Sequence, residues 1–187
     1  MVGTSLGNGS SVQCTLSTGT GFGATVTSYV LDWGQDAGRT WVDFNGDGLA
    51  DYCRVVGTSL GNGSRVQCTL STGTGFGPTI SSAVLDWGQP EGRHWVDFDG
   101  NGTMDYCRIV GSSLVIAQVQ CTISSTNAFG ATITSPVLDW GQREGRSWTD
   151  LNGDGKVDYC RTIGSSLASA RATCTLASGP APDLVLN

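Results

Sequence analysis

A block of sequence recurs along this chain at intervals of 53 and 54 residues, and this repetition limits the folds available to it. The motif Asp-Trp-Gly-Gln occurs at 32–35, 86–89 and 139–142. An Asp-Tyr-Cys-Arg motif begins 19 residues after the start of each copy. Similarity at a fixed interval of this length is typical of solenoids, propellers and other arrays, in which each repeat is one supersecondary unit.

Each repeat contains four strand-like segments separated by turns rich in Gly and Asn. Residues 38–44, 51–57 and 65–72 form three such segments, and 24–33 represents the fourth. No apolar pattern of helical period is present, so the fold class is predicted to be all-β. Four strands per repeat predict a β-propeller of four-stranded blades of about 54 residues, with about three and a half blades in this chain. A β-solenoid is the alternative, although its coils are usually shorter.

The repeat positions give expected blade boundaries. We expect a partial blade over 2–38 that holds strands three and four, complete blades over 39–92 and 93–145, and a final blade with a shortened tail over 146–187. About three blades cannot close a ring, and an open array would expose sheet faces and edges. The chain is therefore expected to form a homo-oligomer or to be part of a longer propeller.

The net charge argues against a nucleic-acid partner, and the hydropathy argues against a membrane span. The net charge is −6 with only ten Lys and Arg residues, which argues against a nucleic-acid backbone as partner. No run of 18 apolar residues is present, so no membrane span is expected.

Six of the seven cysteines form evenly placed pairs: Cys53–Cys68, Cys107–Cys121 and Cys160–Cys174. If 51–57 and 65–72 form a hairpin, Cys53 faces Cys68 and Val55 faces Val66. Each pair is therefore predicted to form a cross-strand disulfide, which favours a secreted, extracellular protein. Buried free thiols in a cytosolic protein are the alternative. Cys14 is left over: by the 54-residue offset its partner would lie just before Met1, and Cys160 of a second copy is the alternative partner.

An acidic loop follows the first strand segment of each repeat. Side chains with oxygen atoms stand at loop positions 1, 3, 5 and 9, a glycine stands at position 6, and the carbonyl of position 7 supplies a further oxygen. The predicted Ca²⁺ ligands are Asp43, Asn45, Asp47, Leu49 and Asp51; Asp97, Asp99, Asn101, Thr103 and Asp105; and Asp150, Asn152, Asp154, Lys156 and Asp158.

About three bound Ca²⁺ ions are expected, because each loop places three carboxylates within nine residues. The loop is not an EF-hand, since position 12 is Arg54, Arg108 or Arg161 and a strand-like segment follows. An Asx-rich turn held by its own hydrogen bonds is the alternative.

The Phe-Gly pairs at 22–23, 76–77 and 129–130, followed by these acidic loops, resemble the FG-GAP or VCBS repeat. That repeat forms the propeller blades of integrin α-chains, and some members are similar to Psathyrella velutina-type lectins. The resemblance implies Ca²⁺ between the first and second strands of each blade. It predicts fold better than function, because such repeats accompany many activities.

The block Asp-Trp-Gly-Gln-x-x-Gly-Arg offers an aromatic face and planar polar groups, which is chemistry suited to a sugar. The candidate ligand-binding residues are Trp33, Gln35, Arg39, Trp87, Gln89, Arg93, Trp140, Gln142 and Arg146. Packing and loop anchoring are the alternative for these residues, and Trp41, Trp95 and Trp148 are expected in the core.

These features predict a secreted, calcium-stabilised, carbohydrate-binding propeller with a glycan as partner. The alternative is a non-catalytic, protein-binding or structural module, which could be part of a larger toxin, adhesin or enzyme. No enzymatic function is expected, because His94 is the only histidine and its equivalents in the other repeats are Thr40 and Ser147. His94 is interpreted as a solvated strand residue.

Overall fold

The computed structural model describes residues 10–57, 63–111, 116–166, 168–177 and 184–186. These residues form β-strands and three short 3₁₀ turns, and none of them is in an α-helix. All strand pairs are antiparallel, so the prediction of an all-β fold is confirmed.

The chain divides into two compact units, residues 1–87 and 88–187. In the first unit, β1 and β2 form a two-stranded sheet, and β3 to β6 form a four-stranded sheet in sequence order. These strands are β1 (Gln13–Ser17), β2 (Phe22–Thr27), β3 (Arg39–Val42), β4 (Asp51–Val56), β5 (Arg65–Ser71) and β6 (Phe76–Ser81).

The second unit contains two four-stranded sheets, each with its strands in sequence order. The first consists of β7 (His94–Val96), β8 (Asp105–Val110), β9 (Gln118–Ser125) and β10 (Ala128–Thr134). The second consists of β11 (Ser147–Thr149), β12 (Asp158–Ile163), β13 (Arg171–Thr175) and β14 (Leu184–Leu186). The short β14 lies in the tail of the chain and pairs with β13.

The second and third strands of each four-stranded sheet have the predicted register. Cys53 lies opposite Cys68 and Val55 opposite Val66. The predicted disulfides Cys53–Cys68, Cys107–Cys121 and Cys160–Cys174 are all confirmed. Each joins directly opposed residues, because in every copy the hairpin brings the two cysteines face to face.

The fourth strand segment differs from its sequence-based boundaries. It was predicted over 24–33, but β2 begins at Phe22 and ends at Thr27. Ser28 ends the strand because its hydroxyl accepts a bond from the Val12 N–H at 2.9 Å and donates to the Tyr29 carbonyl at 2.8 Å. Ser82 and Ser135 make the equivalent bonds in the next two repeats.

A buried arginine, Arg54, joins three parts of its repeat. Arg54 on β4 is 1% exposed, and it donates to the Asp32 carbonyl, to Thr69 Oγ1 at 2.9 Å and to Gln67 Oε1 at 3.0 Å. The second strand is thereby bonded both to the third strand and to the turn that precedes the first. Burying a charged group is costly unless such bonds replace its hydration, and these neutral acceptors do so.

The core of the second unit is built around its disulfide-bearing strands. Ile109, Val119 and Leu138 are buried with the Cys107–Cys121 pair and with Tyr159. In the first unit, Phe44, Val55 and Val66 are at most 1% exposed. Burial of a side chain of this size contributes roughly 1.5–3 kcal/mol.

The glycine of the Asp-Trp-Gly-Gln motif is required by both its backbone angle and its surroundings. Gly34 has φ of 79°, and a Cβ atom there would lie 2.7 Å from Arg54 Cβ and 2.8 Å from the Val55 carbonyl oxygen. Glycine therefore allows the turn to pass directly over the second strand.

We predict that Gly34→Ala destabilises the first unit by more than Gly19→Ala does. Both glycines have φ near 80°, but a Cβ at Gly19 would meet no atom within 4 Å. Gly19→Ala should therefore cost about 1–2 kcal/mol for the left-handed backbone, and Gly34→Ala about 1–3 kcal/mol more for the clash. Urea denaturation of the two variants measures the difference, and equal losses would contradict the packing argument.

Candidate metal centre

The acidic loops join the first and second strands of each four-stranded sheet. In the loop 43–51, the carboxylate of Asp43 accepts bonds from the N–H groups of Asp47 at 3.1 Å and Gly48 at 2.8 Å. Gly48 has φ of 85°, which permits the sharp turn at loop position 6. The loop thus curves around its first aspartate, as the sequence pattern predicts.

The loop 97–105 brings three carboxylates together. Carboxylate oxygens of Asp97, Asp99 and Asp105 all lie within 4.8 Å of one another. Two oxygens bound to one Ca²⁺ can be at most about 5 Å apart, twice the usual Ca–O distance. The spacing and the all-oxygen donor set therefore fit a calcium ion.

The last aspartate of each loop is fully buried and bonded by both carboxylate oxygens. Asp105 Oδ2 accepts the Phe98 N–H at 2.9 Å, and its Oδ1 accepts the Ser124 N–H at 2.7 Å. Asp51 and Asp158 make the same pair of bonds, and all three are 0% exposed. This residue therefore ties the loop to the third strand or, for Asp158, to Ala177 just after it.

Burial raises the pKa of Asp105 and Asp51 because it disfavours the charged form of a carboxyl group. Desolvation raises the pKa of Asp105 to about 6, although bonds from Ser124 and Phe98 oppose the shift. Desolvation also raises the pKa of Asp51, with smaller contributions from the charges of Asp47 and Asp43. A divalent cation would offset this cost, since it favours the ionised form.

The remaining predicted ligands are placed in the same loops. Asn101 donates from Nδ2 to the Ser124 carbonyl at 3.0 Å, and Thr103 N–H donates to Asn101 Oδ1 at 2.7 Å. Asn45 and Asn152 each accept the N–H of the aspartate two residues later. The N–H groups of Leu49 and Lys156 donate to Asp47 and Asp154. The three loops therefore have closely similar hydrogen-bond patterns.

Hydrogen bonds inside the repeat engage the side chains predicted to bind a sugar. Gln35 Nε2 donates to the Gly57 carbonyl at 2.7 Å, and Arg39 donates to the carbonyls of Trp33 and Gly34 at 2.8–3.1 Å. The corresponding glutamine and arginine bonds in the second unit are made by Gln89, Arg93, Gln142 and Arg146.

Among the tryptophans, Trp41 differs from the sequence-based expectation, whereas Trp148 packs against the core as expected. Trp41 was expected in the core, yet it is 45% exposed and contacts Tyr52 with ring centroids 5.2 Å apart. Trp33 and Trp140 are partly buried beneath Arg39 and Arg146, whose guanidinium carbons lie 5.5 and 4.4 Å from the ring centroids. The aromatic residues before the glycine therefore act as packing surfaces for the loop arginines.

The sequence-based interpretation of His94 as a solvated residue is wrong, because the structure shows it half-buried. Its ring lies 6.0 Å from that of Trp148, and burial, with the nearby charge of Arg146, lowers the pKa of His94. The sequence did not indicate this contact because the equivalent positions, Thr40 and Ser147, carry small side chains.

The chain is similar to the NAD(+)–arginine ADP-ribosyltransferase Chelt of Vibrio cholerae, with 29% identity over 138 residues. The similar region covers 73% of this chain and 22% of that protein, so the chain spans about a fifth of the length of the curated relative it matches. No family model matches the chain.

This similarity contradicts two sequence-based predictions. The chain was expected to be a lectin-like, carbohydrate-binding protein with a glycan partner, and to have no enzymatic function. The curated relative is an ADP-ribosyltransferase, which is neither a lectin nor a non-catalytic protein. The internal bonds of Gln35 and Arg39 also argue against the sugar-binding prediction. Groups already bonded to backbone carbonyls are poorly placed to bind sugar hydroxyls.

Two observations bear on the environment of the protein. The three disulfides fit an extracellular protein, since such bonds persist in oxidising compartments. Within the described ranges, no helix has the length and apolar character needed to cross a membrane.

We predict that Arg146→Ala lowers the free energy of unfolding by about 2 kcal/mol, whereas Arg143→Ala changes it little. Arg146 donates twice to the Gly141 carbonyl and lies over the Trp140 ring, and these interactions have roughly that combined value. Arg143 is exposed on the same turn and carries the same charge. Denaturant titration compares the variants, and similar midpoints for both would refute the anchoring role.

Proposed function

We propose that this chain functions as part of an NAD⁺-dependent ADP-ribosyltransferase that modifies arginine, and that its repeats form the calcium-binding part of that enzyme. The similarity over 138 residues supports this proposal. Because the match covers 22% of the relative, the named activity is assigned to the whole protein that contains such repeats, and not to one loop or sheet.

The reaction itself is a transfer between two nitrogen atoms. A guanidinium nitrogen of arginine forms a bond to the anomeric carbon of the nicotinamide-bearing ribose, and the bond from that carbon to nicotinamide breaks. The guanidinium loses a proton and nicotinamide leaves as a neutral molecule, so charge and atoms balance. An assay can therefore follow either the modified acceptor or the released nicotinamide.

We propose that each acidic loop holds one Ca²⁺. The convergence of Asp97, Asp99 and Asp105 within 4.8 Å supports this assignment in the second repeat. The equivalent loops at 43–51 and 150–158 share its hydrogen-bond pattern, which supports the same role there. A bound ion would offset two of the three carboxylate charges in each loop and fix the connection between the first and second strands.

The finer architecture is part of the same proposal. We propose that the four-stranded sheets are blades of a propeller of the FG-GAP or VCBS type, closed by a second copy or by further repeats. The recurrence of one strand order in three sheets supports it, as do the Phe-Gly pairs and acidic loops. Secretion is proposed on the ground of the three disulfides.

Calcium should stabilise the folded chain. At a free concentration about 100 times the dissociation constant, each site is expected to add about 2.7 kcal/mol to the free energy of unfolding. Isothermal titration should give about three ions per chain, with dissociation constants up to about 10⁻⁴–10⁻³ M if the sites resemble extracellular modules.

Asp99→Asn tests the site, and Glu144→Gln is its matched control. Both changes remove one carboxylate charge, but Glu144 is exposed on a turn outside the loops. We expect Asp99→Asn to remove or weaken one site, while Glu144→Gln leaves all of them intact. Absence of calcium binding at millimolar concentration, in the folded and oxidised chain, would contradict the proposal.

The catalytic proposal is tested with agmatine, a small guanidinium compound, and NAD⁺ labelled in its adenosine part. The longest natural protein that contains this chain is expected to form ADP-ribosylagmatine and to release nicotinamide in equal amount. Omission of agmatine should leave only slow hydrolysis of NAD⁺. If neither product forms while the protein is folded and calcium is bound, the assignment as an ADP-ribosyltransferase is wrong.

A further inference from the structure

Three buried side-chain N–H groups lie in and just after the turn 139–146 without an acceptor among the described residues. They are Trp140 Nε1, Arg146 Nη1 and Trp148 Nε1. A buried donor that has lost its hydration is costly unless it forms a new bond, so folded proteins leave few such groups unpaired. Three of them around one turn therefore need an explanation.

The three donors belong to side chains that lie close together. The guanidinium carbon of Arg146 is 4.4 Å from the centroid of the Trp140 ring. Arg146 has an extended backbone, with φ of −94° and ψ of 136°, and leads directly into β11. Because side chains alternate along an extended segment, Arg146 and Trp148 lie on the same side of it.

His94 on β7 completes this group, which we call the donor cluster: His94, Trp140, Arg146 and Trp148. The His94 ring lies 6.0 Å from that of Trp148, so the cluster joins the second repeat to the third. Burial, and to a smaller extent the positive charge of Arg146, lower the pKa of His94. Its imidazole is therefore neutral at neutral pH and can donate or accept a bond without adding a charge.

The backbone carbonyls of the turn already accept bonds from other donors. These carbonyls belong to Asp139, Trp140 and Gly141, and their donors are Arg161, Tyr159 and Arg146 through its Nε and Nη2. The engaged carbonyls of this turn thus leave the three N–H groups to an acceptor from outside the chain.

The charge of the turn distinguishes the third repeat from the first. Arg39, the equivalent of Arg146, forms an ion pair with Asp36 at 2.6 Å. The residue equivalent to Asp36 is Arg143, so the third repeat has a second cation where the first has an anion. Among the described residues, no carboxylate pairs with Arg146. The turn 139–146 therefore has an excess of positive charge as well as of donors.

We propose that the donor cluster binds an oxyanion, either a carboxylate or a tetrahedral group such as sulfate or phosphate. Its oxygens would accept bonds from Arg146 Nη1 and from the indole N–H groups of Trp140 and Trp148. Hydrogen bonds between a guanidinium and an anionic oxygen are stronger than those between neutral groups.

An uncharged acceptor would satisfy the hydrogen bonds but not the charge of Arg146. Trp140 and Trp148 pack against the core residues that include Leu138 and Tyr159. In such apolar surroundings, water screens a charge less than it does at an exposed surface, and an anion gains correspondingly more. The cluster thus favours a negatively charged ligand over a neutral one.

Nuclear magnetic resonance tests the site in the intact, oxidised chain labelled with ¹⁵N, in the presence of calcium. The indole N–H signals of the six tryptophans are assigned by single Trp→Phe substitutions. Sulfate or acetate is then added at an ionic strength held constant with sodium chloride. We expect the Trp140 and Trp148 signals to shift and saturate, with a dissociation constant on the order of 1–10 mM.

Two tryptophans of the first unit serve as internal controls. Trp33 Nε1 is also buried without an acceptor among the described residues, but the arginine over its ring already has Asp36 as a partner. Trp41, the equivalent of Trp148, is 45% exposed. Neither signal should show a saturable shift. A response of Trp33 equal to that of Trp140 would overturn the proposal, because the excess positive charge would then be irrelevant.

Arg143→Asp tests the charge argument without changing the buried side chains. It places a carboxylate where Asp36 lies in the first repeat, so it should pair with Arg146 and weaken anion binding by about tenfold or more. Arg65→Asp makes the same charge change at an exposed position of the first unit, and it should alter binding by less than about twofold. Equal weakening by both variants would show a general effect of net charge and overturn the proposal.

Trp148→Phe removes one donor and keeps an aromatic ring. It should weaken binding several-fold, which the remaining Trp140 signal reports. Tighter binding of sulfate than of acetate would identify a sulfate- or phosphate-bearing ligand, and the reverse order a carboxylate. Absence of a saturable shift at Trp140 and Trp148 with both anions, in the folded chain, would refute the oxyanion site.

Discussion

The second strand of each four-stranded sheet carries an arginine whose guanidinium is surrounded by neutral oxygen atoms. Arg54 and Arg108 are 1% exposed and Arg161 is 2% exposed. Such a charge is tolerated only where several acceptors converge on it. For Arg54 and Arg161 the acceptors come from the preceding turn and the third strand, and for Arg108 they include Thr122 and Gln120 on the third strand. The positions of the turn, the second strand and the third strand are therefore mutually dependent.

Other contacts that recur in the repeats are arranged around this strand. The residue before each arginine forms the disulfide to the third strand, and the aspartate three residues before it accepts bonds from the loop and from the third strand. The tyrosine two residues before Arg54 or Arg161 donates to a tryptophan carbonyl in the turn at 2.6 Å. One four-residue motif, Asp-Tyr-Cys-Arg, thus connects the acidic loop to the sheet.

Much of this arrangement could be predicted from sequence, because it depends on alternation and spacing. The disulfides followed from the hairpin register of Cys53 and Cys68, and the loop geometry followed from the oxygen residues and Gly48. The role of Arg54 was missed, although an arginine at every position 12 of the acidic loops was a visible signal. Its buried acceptors are backbone carbonyls and side chains distant in sequence, which no local pattern identifies.

The functional prediction failed for a related reason. Trp33, Gln35 and Arg39 form a set whose chemistry suits a sugar, but the same groups also suit a loop that needs anchors. Only the structure distinguishes these uses, since it shows Gln35 and Arg39 bonded to nearby carbonyls. The similarity to an ADP-ribosyltransferase came from comparison over 138 residues and not from any motif of catalytic residues within the repeats.

We expect the second strand, through its cysteine and arginine, to protect the backbone amides of the third strand from hydrogen exchange. Hydrogen exchange followed by mass spectrometry tests this within one molecule, because residues 12–17 and 66–71 have the same sequence. Among the residues that the structure describes, β5 has a second-strand neighbour and β1 has none. The account predicts that β5 amides exchange much more slowly, near the rate of global unfolding, while β1 amides exchange by local opening. Equal protection of β1 and β5 in the oxidised chain would contradict it.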